Sequence, residues 1–199
     1  MLQMINLKST PLRQWRRLAS GWLALIAIAA VFPAAAQSEG DAAVLERRVK
    51  ATFLYKFLSY VEWPESALPK PNTPFTIAVA GDDALAAELA EFAGGRNTEG
   101  RSVVVRKVSD PAEAASAHIL FVARAENPRL SQLVKTTQSK PVLIVTESDG
   151  ALAAGSMINF VVSGGRVRFE ISVDTADKRQ LKLSSRLLTV ALNVRAGTP

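Results

Sequence analysis

From Asp41 to Val61 apolar residues return every four positions: Leu45, Val49, Phe53, Phe57 and Val61, with Leu54 and Leu58 widening the stripe. That spacing predicts one amphipathic helix with a broad inward face. Glu46 and Lys50 lie one turn apart on the other side, where an i,i+4 pair suits a solvent-facing surface. Trp63-Pro64 ends the helix, because a proline pushes its predecessor out of helical backbone. Pro64, Pro69, Pro71 and Pro74 then make a segment unfit for strand pairing.

Downstream the period shortens. Phe75–Ala80 is a continuous apolar run closed by Gly81-Asp82-Asp83, and Ala84–Ala93 returns to helical spacing before Gly94-Gly95 breaks it. Ser102–Val108, His118–Ala123 and Pro141–Thr146 are three further strands. Between them lie a short helix with Asp110 as N-cap before Pro111 and a longer helix over Pro128–Gln138. Short apolar runs alternating with helices predict a mostly parallel sheet covered on both faces. The chain then changes style. Met157–Ser163 and Arg166–Val173 flank Gly164-Gly165, the signature of a β-hairpin. Its second strand alternates Val167, Phe169, Ile171 and Val173 with Arg166, Arg168, Glu170 and Ser172. Asp174 is the expected cap of a short helix. Ser184 or Ser185 caps a last one running through Leu187, Leu188, Ala191 and Val194. The expected fold is a single α/β domain: a central mixed, mostly parallel sheet with helices on both faces and a C-terminal hairpin followed by helix.

Charge is unevenly spread. The 199 residues carry a net +6, yet Lys8, Arg13, Arg16 and Arg17 stand in the first 36 with no acid beside them, leaving 20 basic against 18 acidic residues in the remainder. A body so near balance lacks a nucleic-acid footprint. The basic stretch is followed by the apolar run Trp22–Phe32 and then by Pro33-Ala34-Ala35-Ala36, the three parts of a secretory signal. Residues 1–36 are therefore expected to be a signal peptide cut between Ala36 and Gln37, with 37–199 exported, most simply to a bacterial periplasm. The apolar run is shorter than the ~20 residues of a membrane span.

Candidate chemistry is sparse. With no Cys and one His, thiolate and multi-histidine metal sites are excluded, as is control by a disulfide of this chain. No cofactor is expected. No Gly-x-Ser-x-Gly elbow or Ser-x-x-Lys pair is present. His118 opens a strand, where a single hydrogen bond accounts for it better than catalysis. Gly81-Asp82-Asp83 stands where α/β folds place ligands, but it lacks the further glycines of a phosphate loop and suits a helix N-cap. Glu147, Asp149 and Asp82 are acids whose spacing does not bring them together. Arg168 and Glu170 read either as a solvated edge face with a weak ion pair or as the polar floor of an anion- or partner-binding surface. Tyr55 and Tyr60, off the apolar stripe, are either core or surface anchors.

Three segments in order resemble the YfiR/HmsC family of exported proteins. They are Val49-Lys50-Ala51-Thr52-Phe53-Leu54-Tyr55-Lys56-Phe57 running on to Val61-Glu62-Trp63-Pro64, the hairpin from Ser156 to Ile171, and Leu181-Lys182-Leu183-Ser184-Ser185-Arg186-Leu187-Leu188. The resemblance spans about residues 45–195. It implies a periplasmic regulator rather than an enzyme. Such a regulator binds the periplasmic sensor domain of an inner-membrane diguanylate cyclase, represses it, and so lowers cyclic di-GMP signalling and biofilm formation. It also implies a homodimer, release by an outer-membrane lipoprotein antagonist or a small ligand, and a pocket arginine at the position of Arg168. Glu170, Lys56, Tyr55, Trp63 and Asn159, all within the matching segments, complete the expected ligand- or partner-binding set. The alternative is a periplasmic small-molecule binding protein without a cyclase partner.

Overall fold

In the computed structural model, residues 34–196 are described. Helix α1 (Ala34–Tyr60) starts before the expected Asp41 and ends one residue early. Its turns through Ala43 belong to an N-terminal unit, and the α/β unit begins at Val44. Residues 1–33 of the expected signal lie outside the described residues, and Ala36 and Gln37 fall within α1. No helix of the described residues is long and apolar enough to cross a membrane.

The inward face of α1 is carried by Ala51, Leu54, Phe57 and Leu58, all fully buried. Leu45 departs from the expected stripe: it is 62% exposed, because periodicity marks a face but not how far along the helix the packing partner extends. Two turns on, Phe53 and Phe57 stack against each other and meet Phe160 and Phe169 of the hairpin, with ring centroids 5.3–6.1 Å apart. This aromatic layer fixes the helix across the sheet.

The strands are β1 (Val61–Glu62), β2 (Phe75–Ala80), β3 (Asn97–Thr98), β4 (Arg101–Lys107), β5 (Ile119–Val122), β6 (Leu143–Thr146), β7 (Ile158–Ser163), β8 (Arg166–Ser172), β9 (Lys182–Leu183) and β10 (Asn193–Arg195). Among the described residues eight of them form one sheet in the order β10-β8-β7-β6-β5-β2-β4-β3, antiparallel only at β7–β8 and β3–β4. Every residue of β2, β5 and β6 is buried, as a sheet covered on both faces requires. The remaining helices are α2 (Asp83–Ala93), α3 (Pro111–Ala114), α4 (Leu130–Thr136), α5 (Val173–Asp177) and α6 (Ser185–Val190). The expected α/β fold is the observed one.

At four places the structure departs from the sequence pattern. The segment expected as a single helix over Pro128–Gln138 is a 3₁₀ stretch (Arg124–Arg129) leading into the shorter α4. Asp174 lies in the first turn of α5 and does not cap it; Ser172 holds the cap position, and its Oγ meets Thr175 Oγ1 at 2.8 Å. Val61-Glu62, read as helix end and loop, pairs with Lys182-Leu183 as a two-stranded sheet. Val194, assigned to the last helix, belongs to β10, which adds to β8 in parallel. The Gly164-Gly165 turn is as expected, with φ of +58° and +70°, the left-handed backbone that a two-residue hairpin demands.

Candidate functional site

Ligands of open α/β sheets settle beyond the carboxyl ends of the strands, where the strand order reverses. Here that point lies between β2 and β5, because the chain passes from β2 to β4 and returns across β2 to β5. It is filled from within. Gly81 follows β2 with φ +82°, and a Cβ there would stand 2.5 Å from Glu126 Cγ. Arg129 holds Glu126 at 2.8 Å and also donates to the Ser109 carbonyl at 2.7 Å. Asp82 accepts from the Leu85 amide at 2.8 Å as the N-cap of α2. Gly81-Asp82 is thus a structural turn.

One strand further along is a cleft of about 330 Å³ lined by Glu46, Lys50, Arg124, Glu147, Asp149 and the hairpin residues Phe160–Val162. Its hub is Glu147, directly after β6. One carboxylate oxygen accepts from the Arg124 backbone amide at 3.0 Å, and the other meets Lys50 Nζ at 2.5 Å. Lys50 also donates to Glu46, while Arg124 Nη2 donates to the Glu147 carbonyl at 2.9 Å. The Lys50 and Glu147 side chains are only 12% and 15% exposed. Burial disfavours the Lys50 ammonium, but hydrogen bonds and Coulombic attraction from Glu147 and Glu46 outweigh it and raise its pKa above the ordinary lysine value. Lys50 is therefore a half-buried bridge between helix and sheet, not the solvent-facing residue the helical pattern predicts. Glu147 at the end of a strand was the available signal; its partner 97 residues away was not.

His118 is held by backbone at both ring nitrogens. Nδ1 accepts the Thr76 amide at 3.0 Å, which makes Nε2 the protonated nitrogen, donating to the Ala67 carbonyl at 3.1 Å. Its ring packs edge-on to Trp63 and Phe75. Burial lowers its pKa, with Arg101 acting the same way and the Ala67 bond opposing. A neutral imidazole spent on two backbone groups is a structural one.

The expected binding residues do not converge. Asn159 is buried, and its Oδ1 accepts from Thr146 Oγ1 at 2.8 Å and from the Ser148 amide at 3.0 Å, so it knits β6 to β7. Tyr55 packs edge-on to Phe92 of α2, whose ring also carries the Arg96 guanidinium at 4.5 Å. Trp63 donates its indole N–H to the Leu58 carbonyl at 3.1 Å and lines a separate cleft of about 590 Å³ with Glu62, Pro64, Asp177, Gln180, Leu181 and Lys182. Lys56 is exposed on α1. Arg168 is exposed and Glu170 half-buried on one face of β8, opposite Val161 and Asn159 of β7. Among the described residues neither has an ion-pair partner, so the expected i,i+2 pair is not formed.

The profile of the YfiR/HmsC-like family matches residues 47–192, from the middle of α1 to the residue before β10. The chain belongs to that family. Membership suggests a periplasmic regulator. Two solved structures are similar in outline. A conserved domain protein from Vibrio cholerae O1 biovar El Tor matches with TM-score 0.48 and 10% identity over 66% of this chain and 57% of that one. The ABC domain in complex with L-Trp from Streptococcus pneumonia matches with TM-score 0.46 and 16% identity over 64% of this chain and 58% of that one. This chain spans less than two thirds of either protein.

Proposed function

We propose that residues 1–36 direct export, that cleavage follows Ala36, and that the released chain binds the periplasmic domain of a membrane-bound diguanylate cyclase and holds it inactive. The observation that carries this reading is the family match across nearly the whole α/β unit. The chemistry of the side chains agrees with it. Lys50 in the strand-end cleft is taken up by Glu46 and Glu147, and the single imidazole is committed to backbone, whereas Arg168 and Lys56 stand in solvent. Such a surface suits recognition of a partner.

Repression then follows from differential affinity. A regulator that binds only the inactive conformation of the receptor shifts its equilibrium by the ratio of the two affinities. A tenfold preference contributes about 1.4 kcal/mol, so deep repression requires a cyclase already near balance or a much larger preference. An outer-membrane lipoprotein or a small ligand competing for the same surface releases it.

The test is cross-linking in the intact envelope followed by identification of the captured protein. Recovery of a diguanylate cyclase with the native chain, and its loss with Arg168→Ala at unchanged melting temperature, is the expected result. The cleft beside Trp63 favours a second reading, a binding protein for a small molecule without a cyclase partner. No captured cyclase, together with a large thermal shift from one metabolite, decides for that reading. Mass spectrometry of the exported chain is expected to find Gln37 at its start.

A further inference from the structure

Lys50 in the strand-end cleft meets two carboxylates, but three other cations gather where there is none. A pocket of about 190 Å³ lies where the segment joining α4 to β6 meets the residues after α5, and Lys140, Lys178 and Arg179 all line it. No carboxylate belongs to its wall, which also carries the neutral hydrogen-bonding side chains of Ser66, Ser139 and Gln180. Among the described residues none of the three cations has an ion-pair partner. Arg179 is the member that cannot be read as a solvated surface charge, since it is 8% exposed. Its Nη1 donates to the Thr137 carbonyl and hydroxyl, and its Nη2 to the Val134 carbonyl. These bonds close the end of α4 and use three of the five guanidinium N–H donors. The Nε proton and the second Nη2 proton have no acceptor among the described residues. Nε and Nη2 together form the edge that takes two oxygens of an oxyanion side by side. Burial lowers the Arg179 pKa, as it does for a cation held away from water without a counter-charge. The backbone next to it is unusual too. Gln180 has φ of +60°, left-handed backbone that favours glycine, yet a glutamine occupies the position and lines the pocket.

We propose that this pocket binds a phosphate group, either free or as the head of a monoester. Charge selects among oxyanions. A phosphate group carries about 1.5–2 negative charges at pH 7 and a carboxylate only one, against three cations and no acid on the wall. Shape selects the same way. A carboxylate has two oxygens, both taken by the open edge of the Arg179 fork, whereas the tetrahedral phosphate has a third to offer the two ammonium groups. Ser66, Lys140 and Pro141 also line an adjoining cleft of about 360 Å³, where the organic part of an ester has room to lie. None of the large exposed apolar side chains stands on either wall, which argues against the headgroup of a membrane lipid. The site is independent of the cyclase reading: it needs no protein partner, and its failure leaves that reading where it stands.

Titration calorimetry of the full chain with inorganic phosphate, in chloride buffer at constant ionic strength, tests the assignment. One phosphate is expected to bind per chain, and acetate to bind at least tenfold more weakly. Lys140 and Lys178 are exposed, so K140Q/K178Q removes two of the three charges without touching the core. It is expected to bind phosphate at least tenfold more weakly than the native chain. Its Tm in phosphate-free buffer is expected to equal or exceed the native one, because two like charges beside Arg179 are gone; a merely structural role for the lysines lowers it instead. R179K, which keeps the charge and loses the fork, is expected to weaken phosphate binding as well. Phenyl phosphate separates the two sources: tighter binding than inorganic phosphate supports an ester whose organic part enters the adjoining cleft, and binding no tighter supports the free anion. A native chain that shows no saturable phosphate binding overturns the proposal. So does K140Q/K178Q binding as tightly as native, or acetate binding as tightly as phosphate.

Discussion

Replacing Lys50 with Met keeps the length and apolar stem of the side chain and removes only its charge. The ammonium bridges Glu46, one helical turn away, to Glu147 at the end of β6. In K50M the Glu147 carboxylate keeps the Arg124 amide at 3.0 Å but loses its counter-charge, and a second carboxylate remains nearby on α1. Breaking a fully buried pair costs about 3–5 kcal/mol, and an exposed one about 0–1 kcal/mol. With the two side chains 12% and 15% exposed, the site stands nearer the buried limit. The expected cost is about 2–3 kcal/mol, or about 5–10 °C in Tm for a domain of this size. Because the penalty comes from the orphaned carboxylate, K50M/E147Q is expected to regain more than half of it: the amide oxygen still accepts from Arg124 and carries no charge. The raised Lys50 pKa fixes the pH window. Its stabilisation is fully present below the unfolded lysine value of about 10.4 and is lost as pH rises through the higher folded value. Denaturant titrations of native chain, K50M and K50M/E147Q at pH 7 and at pH 11 measure all of this. A K50M variant within about 0.5 kcal/mol of native at pH 7, or a double variant less stable than the single one, refutes the bridging role.

His118→Ala strands the Thr76 amide and opens space beside Trp63 and Phe75, and is expected to cost about 2–4 kcal/mol in denaturant melts without altering regulation at matched protein levels. Because the folded pKa of His118 is depressed, the native chain is expected to lose stability as pH falls from about 6.5 towards that lower value; H118N removes this slope. Arg179 is buried with its guanidinium on the Val134 and Thr137 carbonyls at 3.0 and 2.6 Å, closing the C-terminal end of α4. R179M is expected to cost about 2–3 kcal/mol and to speed amide exchange in α4 selectively, and R179K to recover only part because an ammonium lacks the planar fork. Gly81→Ala drives a Cβ towards Glu126 at a positive φ; a loss of about 1–3 kcal/mol is expected by thermal melt, part of it relieved by E126A.

What the sequence revealed depended on how local the cause was. β2 matched its predicted bounds because an apolar run of β-branched and aromatic residues between Pro74 and Gly81 admits one reading. The hairpin matched because Gly164-Gly165 encodes its own turn. β10 was missed because three residues beside apolar helix formers carry no strand signal until β8 offers them a ladder. Lys50 was misplaced because periodicity separates the two sides of a helix but is blind to a carboxylate arriving from the end of a strand. The sequence does not show that Asn159 Oδ1 satisfies Thr146 and the Ser148 amide inside the fold, because both partners come from a different strand and its exit. Arg168 was correctly read as facing away from the apolar row, and its exposure keeps it available for a partner.

The claim on which the account turns is that this chain silences a cyclase by binding it, and cellular cyclic di-GMP measured after deletion of its gene tests that most directly. The account predicts a rise that the native gene reverses and that a stably folded, exported R168A variant reverses poorly. A level that stays the same with and without the gene contradicts it.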